Sequence, residues 1–180
     1  MNIHPLFVHF PIAVFALYSI LEIVAGFWPA LRRQSWVFPV NAFLLFSGFV
    51  SALLALVTGG IAKGLVTGIP TAFILKVHVP FAVATTFIYF VIGAAYLVRI
   101  LDNNGWAVRV IGQNKLMNAS WRLKKKVTHL TLDKGWLPAL ALLGLVGVIV
   151  TAALGTAIVY GPTLNPFVTF VYTLFWPLKP

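Results

Sequence analysis

The chain has 180 residues, of which 61% are hydrophobic and 9% are charged, and it carries a net charge of +10. This composition indicates an integral membrane protein with one membrane domain and no separate soluble enzyme domain. The sequence contains no cysteine, which excludes disulfides, thiolate metal sites, iron–sulfur clusters and covalently attached haem. In a membrane protein the positive charge indicates a basic cytoplasmic flank, and we expect no nucleic-acid partner.

Four apolar segments are long enough to cross a bilayer as helices, because about 20 residues at a rise of about 1.5 Å span about 30 Å of hydrocarbon. These predicted spans cover residues 5–28, 37–61, 73–100 and 136–160. Residues 63–71, which include Gly68 and Pro70, predict a turn. Residues 1–161 are therefore predicted to form one all-α membrane domain, a four-helix transmembrane bundle.

The connection between the third and fourth spans, residues 102–135, is polar and basic. Within it, Trp121 and the run Arg122–Lys126 predict an interfacial helix on anionic lipid. Ten of the 13 basic residues lie on the side of this loop, so the positive-inside rule places the loop in the cytoplasm and both termini outside. Residues 162–180 contain an apolar stretch too short to span, and are predicted to be an interfacial or partner-binding tail.

A six-residue motif occurs twice, each time at the head of a long apolar run. Val8–Ala13 reads VHFPIA, and Val77–Ala82 reads VHVPFA. Because burial of an unpaired polar group is costly, a histidine at both positions indicates a functional site. The first and third helices would be parallel, which predicts a two-helix pseudo-repeat. The second and fourth spans support it only weakly, through the likeness of Thr58–Ile61 to Gly155–Ile158.

The motif histidines, His9 and His78, are candidate ligands of a haem b. In an up-down-up-down bundle the first and third helices are diagonal, and neighbouring axes lie about 8–10 Å apart. Two imidazoles that reach inward across this diagonal leave room for a flat macrocycle. Ala13 and Ala82, one turn below the histidines, have small side chains that would leave space for the edge of the macrocycle. Bis-imidazole ligation needs no cysteine, so we expect His9 and His78 to be the axial ligands.

Lys63 and Lys76, which lie near the histidines, would neutralise the haem propionates. The haem interpretation has two alternatives. The histidines are equally consistent with interhelical hydrogen bonds in a cofactor-free structural or assembly subunit. A small copper or zinc site that uses His4, His9 and His78 is the other alternative.

The sequence contains few other candidate functional residues. Glu22 is the only carboxylate inside a predicted span, and we expect it to form an ion pair with Arg32 or Arg33 rather than to mark a proton route. His129 lies in the basic loop and receives no role. The sequence contains no nucleophile–base set, phosphate loop, zinc pattern or acid pair, so we expect no autonomous catalysis.

The opening segment His4–Ala13, HPLFVHFPIA, resembles the signature of a prokaryotic family of small four-helix membrane proteins, catalogued only as a domain of unknown function. The resemblance extends over nearly the whole chain. That family has an acidic residue late in the first helix, like Glu22, a Thr-Gly pair at the end of the second, like Thr58-Gly59, and a histidine opening the third, like His78.

The end of the fourth span continues the resemblance, with one departure. The family has a Gly-rich stretch followed by Leu-Val-Tyr, close to Gly155–Tyr160. Members often carry a histidine after that tyrosine, where this chain has Gly161. Relatives found beside or fused to cytochrome modules imply electron transfer in a prokaryotic cell membrane. We therefore expect a haem b membrane subunit that passes electrons in a larger respiratory or redox complex, beside other membrane or extracytoplasmic redox subunits.

Overall fold

The computed structural model describes residues 3–65, 69–105, 109–110, 115–133 and 135–176, and these contain helices and turns without a strand. Seven α-helices follow one another along the described residues: α1 (His4–Phe27), α2 (Pro29–Arg32), α3 (Val37–Ala62), α4 (Ile69–Asn103), α5 (Lys115–Asp133), α6 (Trp136–Tyr160) and α7 (Pro166–Phe175). A 3₁₀ turn, Lys63–Leu65, follows α3. The predicted all-α fold class is confirmed.

Four of these helices are long and apolar enough to cross a membrane: α1, α3, α4 over Thr71–Asn103, and α6. The protein is therefore a multi-pass membrane protein. α4 begins at Ile69, four residues before the predicted start, and Pro70 falls in its first turn. Proline is tolerated there because its missing N–H would have no helical partner. Gly68, part of the predicted turn, lies outside the described residues.

The four long helices pack as a bundle in which α1 and α4 are diagonally opposite. α1 packs against α3 and α6, and α4 packs against the same two helices. α1 and α4 run in the same direction, so the bundle has two distinct ends. We call them the histidine end, which contains His4 and His78, and the basic end, which contains Arg32 and Arg99.

Aromatic rings from the diagonal helices fill the middle of the bundle. Phe15 of α1 stacks on Tyr89 of α4 with ring centroids 3.8 Å apart, and Tyr18 meets Tyr96 edge to face at 6.3 Å. Glycines on the facing helices leave room for these rings. A Cβ on Gly144, for example, would lie 2.8 Å from Cζ of Tyr89. The packed centre leaves the two ends as the places for a binding site.

The shorter helices cover the two ends. At the basic end, α5 is held to α4 by the ion pairs Arg99–Asp133 and Lys125–Asp102. At the histidine end, Val168 and Val171 of α7 pack in a cluster with Ile74 of α4 and with Ala153, Leu154 and Ala157 of α6. The described part of the predicted tail therefore packs on its own chain, and residues 177–180 lie outside the described residues.

Candidate functional site

His78 of α4 is hydrogen-bonded to the backbone of α6. Its Nδ1 lies 3.1 Å from the carbonyl oxygen of Thr151. A carbonyl can only accept, so Nδ1 carries the hydrogen and the neutral ring has its lone pair on Nε2. The ring lies beside Gly155, where a Cβ would be 3.4 Å from its Cε1. The position and tautomer of His78 are therefore set by α6.

His4 of α1 is held in the same manner by α3. Its Nδ1 lies 3.1 Å from Oγ1 of Thr58. That hydroxyl is placed to donate its single hydrogen to the carbonyl of Leu54, 2.9 Å away, or to that of Ala55. When it donates in this way it accepts from Nδ1–H of His4, with the lone pair on Nε2, and His4 also interacts with the backbone of Ala55. A Cβ on Gly59 would lie 3.0 Å from Cε1 of His4.

His4 and His78 thus form a matched pair on the diagonal helices. Each donates Nδ1–H to the next membrane-spanning helix in the chain, α3 or α6, and each lies against a glycine of that helix. The two imidazoles are near enough for a proton on His4 to disfavour a second proton on His78. Thr58 and Gly59 both contact His4, whereas in the likened segment Gly155-Thr156 only Gly155 lies against His78, whose acceptor is Thr151.

The structure places the predicted partner, His9, on an exposed surface of α1. Five positions separate it from His4, a rotation of about 140° around a helix with 3.6 residues per turn. Ala13 shares the exposure of His9, whereas Ala82 is half-buried. The structure therefore brings His78 together with His4 and leaves His9 on a different face.

The remaining predicted site residues lie apart from this pair. Lys63 and Lys76 are exposed near the histidine end. Within the described part of the chain, no three His, Cys, Asp or Glu residues come together as a metal-ion site, so His4, His9 and His78 are not gathered into one. His129 is paired with Asp133 at the basic end.

A second polar cluster lies near the basic end, around Glu22. Arg32 forms the expected ion pair with this carboxylate. Asn41 of α3 donates to Glu22 Oε2 at 2.7 Å, and the Tyr96 hydroxyl of α4 donates to the same oxygen at 3.2 Å. Asn41 and Tyr96 were not predicted from the sequence. The spacing in the sequence could have indicated Tyr96. Glu22 follows His4 by 18 residues and Tyr96 follows His78 by the same number, which is five helical turns.

Comparisons with known proteins bear on the family. No curated protein and no solved structure matches the chain. The sequence profile of one family, described as a predicted membrane protein (DUF2231), matches residues 1–165. This range includes all four long apolar helices and the opening motif on which the predicted resemblance depends. The chain therefore belongs to DUF2231, a family of predicted membrane proteins.

Proposed function

We propose that the protein is a membrane subunit that binds haem b through two histidines and passes electrons within a larger redox complex. The observation that carries the proposal is the diagonal pair His4 and His78. Both rings donate Nδ1–H to a neighbouring helix, which leaves the lone pair on Nε2, the form of imidazole that ligates a metal. Metal-ligating histidines commonly donate their other N–H to a carbonyl or another acceptor in this way.

The geometry favours His4 over His9 as the ligand opposite His78. His4 and His78 are both half-buried, whereas His9 is exposed. The donor chemistry fits a haem b ligated by two imidazoles, an arrangement that requires no cysteine. Haem b would supply a reversible one-electron couple between ferric and ferrous iron. The chain's own contribution is to hold the two rings through Thr58 and Thr151 and to offer Lys63 and Lys76 to the propionates.

We further propose that the basic end faces the cytoplasm of a prokaryotic cell and that both termini lie outside. The exposed cations Arg122, Lys124 and Lys126 on α5 support this orientation through the positive-inside rule, and they suit contact with anionic lipid. The histidine pair then lies near the outer surface, within reach of an extracytoplasmic redox subunit.

A cofactor-free structural subunit is the second candidate. The observation that favours it is the same pair of hydrogen bonds, because His4 and His78 each join two helices without a ligand. Interhelical polar contacts of this kind stabilise membrane bundles by about 1 kcal/mol each. In that case the histidines would serve assembly alone.

An optical spectrum separates these candidates. The protein is purified from cells supplied with haem precursor, and its spectrum is recorded before and after reduction with dithionite. The haem proposal expects a sharpened Soret band and resolved α and β bands on reduction. A reduced spectrum without these bands would contradict it and favour the structural subunit.

A further inference from the structure

The cluster around Glu22 is closed off from its surroundings although it contains a carboxylate. The exposed fraction is 2% for Glu22, 0% for Tyr18 and Asn41, and 3% for Tyr96. These four side chains come from three different helices, α1, α3 and α4. An ionisable group inside a membrane span is costly and is usually functional, and the proposed haem site at the opposite end does not use this one.

The side chains that bind Glu22 are hydrogen-bond donors from three helices. Arg32, on α2, pairs with Oε1, and Asn41 and Tyr96 donate to Oε2. Tyr18 lies one turn before Glu22 on the same helix and is close enough to interact with its charge. The side chain of Arg32 is 38% exposed. Arg32 therefore joins the buried carboxylate to the surface at the basic end.

Two polar atoms in the same cluster lack a partner. The hydroxyl of Tyr18 and Oδ1 of Asn41 are buried and make no hydrogen bond to the protein. The first can donate and the second can only accept. A water molecule can accept from one and donate to the other, and buried waters occupy polar sites of this kind. The unpaired atoms point to a bound ligand as small as water.

We propose that Glu22, Tyr18, Asn41 and Tyr96 form a binding site for a proton and an ordered water, loaded from the basic end. On loading, an O–H bond forms at a Glu22 oxygen, and an O–H bond of hydronium breaks to leave water. No electron moves. Glu22 becomes neutral, the attraction that holds Arg32 is lost, and the Arg32 charge turns to the surface. Asn41 and Tyr96 keep the neutral carboxyl in place, and the water is held by Tyr18 and Asn41.

The small number of carboxylates makes the proton site directly measurable. The chain has three Asp and Glu residues in total, namely Glu22, Asp102 and Asp133. Infrared difference spectra of the full chain in lipid nanodiscs, recorded as the pH is lowered, report each carboxylic C=O stretch as it appears. We expect a band of a buried carboxylic acid that shifts in D₂O, is lost in Glu22→Gln, and remains in Asp102→Asn and Asp133→Asn.

The water is tested by the infrared O–H stretch region of the same samples. We expect a sharp band of an isolated water that is lost in Tyr18→Phe and in Asn41→Leu, with circular dichroism confirming that each variant is folded. A buried carboxylic-acid band that survives Glu22→Gln, or no buried-acid band at any pH at which the protein stays folded, would overturn the proton site. A water band unchanged in both Tyr18→Phe and Asn41→Leu would overturn the water. Neither result depends on haem.

Discussion

At the scale of single residues, the two histidines obtain the same tautomer from acceptors of different kinds. The acceptor for His78 is a backbone carbonyl, which no substitution of Thr151 removes. The acceptor for His4 is the side-chain hydroxyl of Thr58. Thr151 also has its own hydroxyl buried without a partner. Substitution of the two threonines therefore distinguishes a histidine held by a side-chain hydroxyl from one held by a backbone carbonyl.

Substitution of Thr58 should release His4, while the same change at Thr151 should leave His78 in place. Thr58→Val removes the acceptor at nearly constant volume, and we expect a loss of about 1 kcal/mol in the free energy of unfolding. The fraction of His4 protonated at Nδ1, measured by ¹⁵N NMR of labelled histidine, should fall. Thr151→Val should leave the His78 signal unchanged and should not lower the stability, because the hydroxyl that it removes is buried and unpaired. Equal behaviour of the two variants would contradict the assignment of the acceptors.

At the scale of helices, glycines on α3 and α6 allow the aromatic rings of α1 and α4 to lie close to the opposing backbone. A Cβ at Gly48 would lie 2.6 Å from a ring carbon of Phe15. The corresponding contact on α6 joins Gly144 to Tyr89, whose ring is also stacked on Phe15. Since Tyr89 is fully buried, its ring cannot move away from a methyl group added at Gly144 without displacing other core side chains.

This contact predicts a large effect of an added methyl group at Gly144. Gly144→Ala should destabilise the bundle by about 1–3 kcal/mol, the usual cost of an overpacked core. Gly93→Ala is the control, because its Cβ would meet Leu45 at an ordinary 3.8 Å, and we expect a change within about 0.5 kcal/mol. Unfolding in mixed detergent micelles gives both values. A Gly144→Ala protein as stable as Gly93→Ala would show that the helices do not pack in this way.

The attachment of α5 to α4 depends on the charge of Asp133. The hydrogen bond from Arg99 is the largest influence and, together with His129, it lowers the pKa of Asp133 despite partial burial of the carboxyl. A depressed pKa means that the ionised carboxylate stabilises the folded state above its unfolded pKa. This stabilisation is lost as the pH falls through the folded pKa. Because Asp133 is partly exposed, the pair contributes only about 0.2–1 kcal/mol.

We therefore expect acid to loosen α5 without unfolding the bundle. Hydrogen exchange followed by mass spectrometry should show faster exchange in α5 as the pH falls below the usual range of aspartate, after correction for the intrinsic rate. Asp133→Asn should produce this behaviour at neutral pH, whereas Lys124→Gln, at an exposed position, should not. Protection of α5 in Asp133→Asn equal to that of the parent protein would show that the ion pair does not hold the helix.

At the scale of the whole molecule, two polar sites lie at opposite ends of an aromatic core. Glu22 follows His4, and Tyr96 follows His78, by 18 positions, which is five turns and about 27 Å along a helix. The same faces of α1 and α4 therefore carry the histidine pair at one end and the Glu22 cluster at the other. The stacked Phe15 and Tyr89 lie between the two sites.

The spans and the family followed from the sequence because hydropathy and local motifs are local properties. The repeated motif predicted His78 as a haem ligand but did not indicate His4, which lies against Thr58. Alignment of the two motifs matched His9 with His78, but such an alignment ignores the rotation of a helix about its axis. Counting back five turns from Glu22 would have selected His4. The role of Asn41 could not be predicted in this way, because its contact with Glu22 depends on which helices become neighbours.

The proposed orientation is tested by labelling single cysteines, since the natural chain contains none. Lys124→Cys at the basic end and Lys63→Cys at the histidine end are both at exposed positions. In intact cells, a membrane-impermeant maleimide should label Lys63→Cys and should reach Lys124→Cys only after the membrane is opened. The reverse pattern would show that the termini lie in the cytoplasm.

The proposed haem b site depends on ligation by both His4 and His78, on diagonal helices. Low-temperature electron paramagnetic resonance of the oxidised protein and of four single histidine-to-alanine variants tests this ligation. We expect a low-spin bis-imidazole signal in the parent protein and in His9→Ala and His129→Ala. In His4→Ala and in His78→Ala the signal should become high-spin, or the haem should be lost. A low-spin signal retained in His4→Ala but lost in His9→Ala would contradict the pairing and restore His9 as the ligand, and retention in both His4→Ala and His78→Ala would contradict the site itself.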